Sequence, residues 1–403
     1  MSGCMSEVPA TDAAAPRKAE PAVVYAAPAD KRISVGAPSL LALANGKLLV
    51  AFDQTGPDVK GLSGKKGNDT KRGRWMQGRV MASTDGGTSW QLAATYPFRR
   101  ASLFREGGDV YLLGEAAGGL CLMRSPDGGA SWSAPMELTG DLDLWLTPTA
   151  LLATNEAWLL PCLIPVENKM ALTIFRAPRG ASLMHRKAWT QGPPSAPLSD
   201  LIAAAPGAGC GVPAGPGAVT WREPVLLAIS DGRHPWHDEQ AVHVVGATSS
   251  GRQHWAALFR VALPTLTIEP QPAPTGEPWV WLPLPGGHDK FDVFYDAPSR
   301  AYWVAGARGV PGLPLGREVD QPQGLRRIGL WTSDNLAEWD TVATLVAGGD
   351  GPAGVRCDPA LAVAGNDLVW ACRAGGEHSR NVRETTRILC GRLPNFRARS
   401  AAP

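Results

Sequence analysis

The sequence predicts an all-β chain, a six-bladed β-propeller of four-stranded antiparallel blades. Three observations predict it. Glycine (46), proline (36) and tryptophan (15) are abundant among 403 residues, a composition suited to many short strands joined by turns. An eight-residue segment recurs, Ser83-Thr84-Asp85-Gly86-Gly87-Thr88-Ser89-Trp90 and Ser125-Pro126-Asp127-Gly128-Gly129-Ala130-Ser131-Trp132, each copy between apolar or alternating runs, as in a strand-turn-strand unit. Around these anchors a repeat of roughly 45 to 80 residues can be traced, a length that suits four-stranded blades with inserted loops.

The recurrent segment has a physical logic. An aspartate can accept the backbone amides ahead of it, the glycine pair supplies positive φ, and the tryptophan folds back over the hairpin. A degenerate third copy, Thr332-Ser333-Asp334-Asn335-Leu336-Ala337-Glu338-Trp339, extends the series.

The blades follow in order. The first runs from 38–43 through 47–53 to the turn at Ser83, and the second from 101–104 through 110–114 to the turn at Ser125. The third holds 149–152, 157–164 and 172–176 and ends at Trp189; the fourth holds 225–230, 241–247 and 255–261. The fifth holds 290–295, 301–305 and 328–332, and the last 360–363, 367–371 and 386–393, with Val23-Val24-Tyr25 expected to pair with it and close the ring. Ala44-Asn45-Gly46, Glu106-Gly107-Gly108-Asp109, Ala153-Thr154-Asn155 and Ala364-Gly365-Asn366 fall between first and second strands, where turns are required. Inserts at 55–75, 195–218 and 309–325 are expected to be loops over a pocket. One domain is expected over 22–397, with tails at 1–21 and 398–403.

Composition narrows the functional classes. With 44% hydrophobic and 19% charged residues most of the chain is not disordered. A net charge of +2 without a long run of one sign argues against a nucleic acid or an anionic membrane as partner. No apolar stretch approaches the roughly twenty residues of a membrane helix, and residues 1–20 show no export signal, so a cytoplasmic protein is expected. The seven cysteines, Cys4, Cys121, Cys162, Cys210, Cys357, Cys372 and Cys390, have no metal-ligand spacing and are expected to be buried free thiols. No phosphate loop is present, and neither cofactor nor metal is expected. His234, His237 and Asp238 form only a weak metal pattern, better read as a solvated turn.

The recurrent segments resemble the Asp box, Ser-x-Asp-x-Gly-x-Thr-Trp, of the sialidase-like (BNR-repeat) propeller superfamily, with Ser83, Asp85, Gly87, Trp90, Ser125, Asp127, Gly129, Trp132, Ser333, Asp334 and Trp339 as structural markers. The resemblance implies a hairpin on the outer edge of a blade and a site near the axis, on the face where the innermost strands end. Sialidases use an arginine triad for the sugar carboxylate, a loop aspartate as acid/base and a tyrosine nucleophile assisted by a glutamate. Planar guanidinium groups match a carboxylate, and an acid and a nucleophile must flank the glycosidic carbon. Carried over, Arg32 of Arg32-Ile33-Ser34 takes the first arginine position. Asp53, ending an apolar strand, takes the acid/base position or else caps the turn with Gly56-Pro57. Glu223 takes the glutamate position, Arg222 or Arg233 the second arginine, and Arg308 or Arg373 the third. The nucleophile position departs from the pattern: Cys357-Asp358-Pro359-Ala360-Leu361 has no tyrosine, and Tyr295 and Tyr302 read as strand residues of the fifth blade. Asp358 is a candidate for another mechanism.

The run Lys290-Phe291-Asp292-Val293-Phe294-Tyr295-Asp296 also resembles bacterial sialidase-like proteins of unsettled substrate. That group carries histidines where Phe52 and Arg383 stand here, which leaves His288 as a further ligand candidate. The expected function is an exo-acting glycoside hydrolase for an acidic or neutral sugar, with Asp53, Glu223 and Asp358 as catalytic carboxylates and Arg32, Arg222, Arg308, Arg373 and His288 binding substrate. The alternatives are a non-catalytic carbohydrate-binding or scaffold propeller and a polysaccharide lyase.

Overall fold

A computed structural model describes residues 20–205, 219–248, 254–273, 275–308, 326–381 and 384–399. They form six antiparallel sheets arranged as the blades of a propeller. In blade 1 the strands Ser34–Ala42, Leu48–Thr55 and Arg74–Ser83 pair in succession. Gly67–Asp69 and Gln91–Tyr96 share the outer edge. Blade 2 is Arg99–Glu106, Asp109–Ala116, Gly119–Ser125 and Met136–Glu137. Blade 5 has the same simple order from Asp292–Asp296 to Asp340–Ala347. Blades 3 and 4 add short extra edges, Trp145–Leu146 in the first and Trp281–Pro283 in the second. Blade 6 consists of Arg356–Ala364, Asp367–Ala374 and Arg387–Leu393, and its fourth strand is Ala22–Ala26 from the other end of the chain. Val23 faces Leu389 and Tyr25 faces Ile388, the expected closure.

The unbroken apolar run Leu48-Leu49-Val50-Ala51-Phe52 shows why second strands lack polar alternation. Successive side chains point to opposite faces of a sheet, and here both faces are covered. Leu48, Val50 and Phe52 pack with Val369, Ala371 and Ile388 of blade 6, while Leu49 and Ala51 pack with Leu103 and Leu112 of blade 2. The core is thus a set of interfaces between neighbouring blades.

The recurrent turns hold as their chemistry requires. Asp85 accepts the amides of Thr88 and Ser89 at 3.0 Å, and Trp90 Nε1 donates to the Gly87 carbonyl at 3.0 Å. Asp127 and Trp132 repeat the pattern. In the third copy Asn335, not the expected Asp334, receives the amides of Ala337 and Glu338 at 2.9 Å, because Asn335 stands two residues after its serine, as Asp85 and Asp127 do.

Two inserts are more ordered than expected. Residues 55–75 contain a 3₁₀ turn, Pro57–Gly61, and the short strand Gly67–Asp69. The insert 195–218 begins with a helix, Leu198–Ala203, and its residues 206–218 lie outside the described residues, as does 309–325. Cys121, Cys162, Cys357, Cys372 and Cys390 are buried free thiols; Cys4 and Cys210 lie outside the described residues. Among the described residues no helix is long and apolar enough to cross a membrane.

Candidate functional site

Four innermost strands begin with the same irregularity. Each carries a bulge against its second strand, and each bulge contains a residue at positive φ: Ala37 (53°), Arg100 (50°), Glu223 (40°) and Asp358 (52°). Non-glycine residues avoid this region, and such strain concentrates where a side chain has to be aimed. Three of the four are charged. The next residue is proline or alanine in every case, Pro38, Ala101, Pro224 and Pro359. Opposite the bulges, the second strands contribute Asp53, paired with Gly36, Glu115, paired with Arg99, and Arg373, paired with Cys357. Asp53, Glu223 and Asp358 therefore reach one face of the propeller, the one where innermost strands begin rather than end.

On the blade 2 side, buried Glu115 accepts Arg99 Nη2 at 2.7 Å and Arg100 Nη1 at 3.4 Å. The Arg100 guanidinium lies over the ring of Trp145, which is 38% exposed and so offers a flat apolar surface to solvent. Asp53 sits behind them. Its carboxylate accepts the Arg100 amide at 2.6 Å and the Tyr96 hydroxyl at 3.5 Å, and burial pushes its carboxyl up to about 7 despite Arg100 and Arg99 nearby. With 5% exposure, Asp53 shapes the bulge more directly than it meets solvent.

The rest of the ring is a chain of mutually interacting charges. Glu223, half-buried, lies within electrostatic reach of Arg100. Its neighbour Arg222 is exposed and acts on His288 and Asp289. Asp358 Oδ2 is 2.6 Å from Arg373 Nε. Asp289 is raised above the ordinary carboxylate range by burial first and by the Asp358 carboxylate second, with Arg373 and Arg222 opposing. Burial beside the Asp358 carboxylate makes Asp289 hold a proton more readily than an exposed carboxylate does. His288 is pushed down to about 4 by burial, then by His254. Its Nδ1 accepts the His254 amide at 3.2 Å, so the neutral ring carries its proton on Nε2 and can donate a hydrogen bond rather than act as a base.

The remaining candidates lie elsewhere. Arg32 is exposed and bound to Asp58 of the blade 1 insert, with Nη2 3.3 Å from Oδ1, so its charge is engaged at the rim. Arg308 turns outward across its blade, Nη1 donating to Thr344 Oγ1 at 3.2 Å. Arg233 pairs with Asp231 at 2.8 Å. His234 bonds the Asn335 carbonyl and His237 the Ile229 carbonyl, Asp238 pairs with Arg260, and no metal-binding cluster occurs among the described residues. Tyr96 stands beside Asp53 but is fully buried, and Tyr295 packs on Tyr302 with ring centres 5.0 Å apart. Phe52 packs on Tyr25 in the core, and Arg383 lies outside the described residues. Sequence reasoning missed Arg99, Arg100, Glu115, Asp289 and Trp145. The alignment of Arg100-Ala101-Ser102 with Ala37-Pro38-Ser39 was the signal that could have located the first three.

The insert of blade 1 is pinned across this face by Lys71 to Asp141 and by Arg72 to both Asp69 and Asp143. Beneath the ring an axial chamber of about 360 Å³ is walled by all six blades, from Ser39, Ser102 and Asp292 to Ala153, Ser230 and Tyr295 toward the other face.

No family model matches the chain, and no curated protein matches its sequence. Among solved structures it is similar to a protein of unknown function from Dyadobacter fermentans, with 14% identity and a TM-score of 0.58 over 94% of this chain and 99% of that one. It is also similar to the Trypanosoma rangeli sialidase in complex with 2,3-difluorosialic acid, with 11% identity and a TM-score of 0.52 over 89% of this chain and 54% of that one. The chain thus spans about half the length of that sialidase. At these identities the likeness establishes the fold: a six-bladed propeller of the kind found in sialidases.

Proposed function

We propose that the chain is a carbohydrate-active propeller of the sialidase-like superfamily, an exo-acting glycoside hydrolase whose sugar site is the charged ring. In this reading the recurrent turns are Asp boxes and residues 22–397 form one domain. The observation that carries the proposal is the Asp289–Asp358–Arg373 constellation on the same face as Glu223. A pair of carboxyls whose surroundings drive their protonation apart is what acid/base cleavage of a glycoside needs. Asp289, which holds a proton more readily than an ordinary carboxyl, gives it to the glycosidic oxygen as the bond to the anomeric carbon breaks. Asp358, whose Oδ2 lies 2.6 Å from Arg373 Nε, stabilises the positive charge on the ring, and Glu223 takes the proton of the attacking water. Arg222, Arg373 and the Nε2–H of His288 bind sugar oxygens, Trp145 stacks on the ring's C–H face, and Asp53 positions Arg100 through its amide.

The test is sugar release from aryl glycosides and acidic oligosaccharides, including sialosides and uronates, by the wild type and by Asp358→Asn and Asp289→Asn. Release that falls at least a hundredfold in both variants supports the roles; full activity in either removes that residue from them.

A second reading, a non-catalytic carbohydrate-binding propeller, is favoured by one observation: Cys357-Asp358-Pro359 stands where the sialidase resemblance requires a tyrosine. Silence across the panel together with saturable glycan binding would select it. An ultraviolet-absorbing product would select a lyase, a reading that the donor tautomer of His288 does not support.

A further inference from the structure

Lys290 is a buried cation that the charged ring leaves over. It precedes the innermost strand Asp292–Asp296 of blade 5 and is 3% exposed. Its Nζ passes blade 6 to reach the Pro38 carbonyl of blade 1 at 3.5 Å, so the side chain spans the inner edge of blade 6. Pro38 adjoins Ser39, which lines the axial chamber, as does Asp292; Lys290 therefore stands between the ring and the chamber. An ammonium has three protons to donate. Among the described residues this long contact is the one hydrogen bond its ammonium makes and no carboxylate lies within ion-pair distance, although its charge acts on the Asp292 carboxyl.

The chamber below is rich in donors. Thr149 Oγ1 is buried without a partner. Ser39 Oγ accepts the Leu103 amide at 2.9 Å and keeps its own proton to give, and the Ser102 hydroxyl faces the same space. Asp292 is the single carboxyl in the wall. It accepts the Leu361 amide at 2.7 Å, and burial pushes it up to about 7 against that amide and the Lys290 ammonium, so near neutrality it carries less than a full negative charge. Buried donors in such excess call for an acceptor.

We infer that Lys290 and the hydroxyls of Ser39, Ser102 and Thr149 form an axial binding site for a small anion, either an inorganic ion held in the chamber or the carboxylate of a sugar reaching down from the ring. The site is independent of whether the ring catalyses anything.

The experiment is thermal unfolding of the full chain at constant ionic strength with chloride, sulfate, phosphate or glucuronate, for the wild type and for Lys290→Met, which keeps the length and removes the charge. A ligand of the native state raises the melting temperature saturably, whereas general salt effects act on both proteins alike. The expected result is saturable stabilisation of the wild type with a midpoint at least tenfold lower than in Lys290→Met, and a Lys290→Met protein that is more stable than the wild type without anion. Response to an inorganic anion places the ligand in the chamber; response to glucuronate alone assigns it to a sugar carboxylate. Identical responses of both proteins to all four anions overturn the inference. If Lys290→Met does not fold, Thr149→Val carries the test: a midpoint raised several-fold supports the site and an unchanged one overturns it.

Discussion

Asp53→Asn should stabilise the protein at pH 8.5 and leave it little changed at pH 4.5. The Asp53 carboxyl is raised from 3.8 to about 7, chiefly by burial. Between those values the folded chain holds a proton that the unfolded chain has released, so stability falls as pH rises through this window and the loss is complete above it. At about 1.36 kcal/mol per pH unit the effect reaches up to about 4 kcal/mol. Asparagine keeps the shape, its carbonyl oxygen can accept the Arg100 amide that Asp53 accepts at 2.6 Å, and it never ionises. Urea unfolding at pH 4.5, 6.0, 7.5 and 8.5 measures the gap between the proteins. It should open across the middle of that range and level off at the top. A gap independent of pH, or a variant weaker than the wild type at pH 8.5, would refute the reasoning and mean that Arg99 and Arg100 keep Asp53 ionised in place.

Other outcomes follow from the same geometry. Asp292→Asn should show the same pH dependence and add to Asp53→Asn, because the two carboxyls sit on blades 1 and 5 without a shared partner. Glu115→Ala leaves two largely buried guanidinium groups without their carboxylate and should cost about 3 to 5 kcal/mol in denaturant unfolding; a loss below about 1 kcal/mol would mean that Arg99 and Arg100 find other partners. Gly78→Ala drives a Cβ into the ring of Tyr96, and overpacking there should cost at least about 1 to 3 kcal/mol in a thermal melt; a neutral result would show that Tyr96 can move away from Asp53. If the ring is catalytic, Arg373→Met should move the alkaline limb of the pH–rate profile upward, because Arg373 lowers the Asp289 carboxyl; an unmoved limb would take Asp289 out of the acid role.

The strand order was readable because each signal is local. The Ser-x-Asp turns specify their own hydrogen bonds, and doubly buried second strands such as 48–52 write themselves as unbroken apolar runs. The outer strand Thr190–Gln191 was not readable, since a two-residue edge buries little and leaves no pattern, whereas the run containing Met136–Glu137 was marked by the turn before it. Within the site, Glu223 and Asp358 could be placed on strands but not aimed, because their direction depends on a one-residue bulge fixed by pairing with the second strand. Arg32 and Arg308 sit at plausible sequence positions, yet Asp58 and Thr344 hold them elsewhere. Glu115 ends an apolar strand just as Asp53 does, and its partners, Arg99 and Arg100, become visible once the starts of the first two blades are aligned.

The most direct test of the central claim is a crystal structure of the protein soaked with a panel of neutral and acidic monosaccharides at high concentration. The account predicts sugar density at the charged face, bounded by Glu223, Asp358, Arg222 and Trp145. Density confined to the opposite face or to the outer edge of a blade would contradict it.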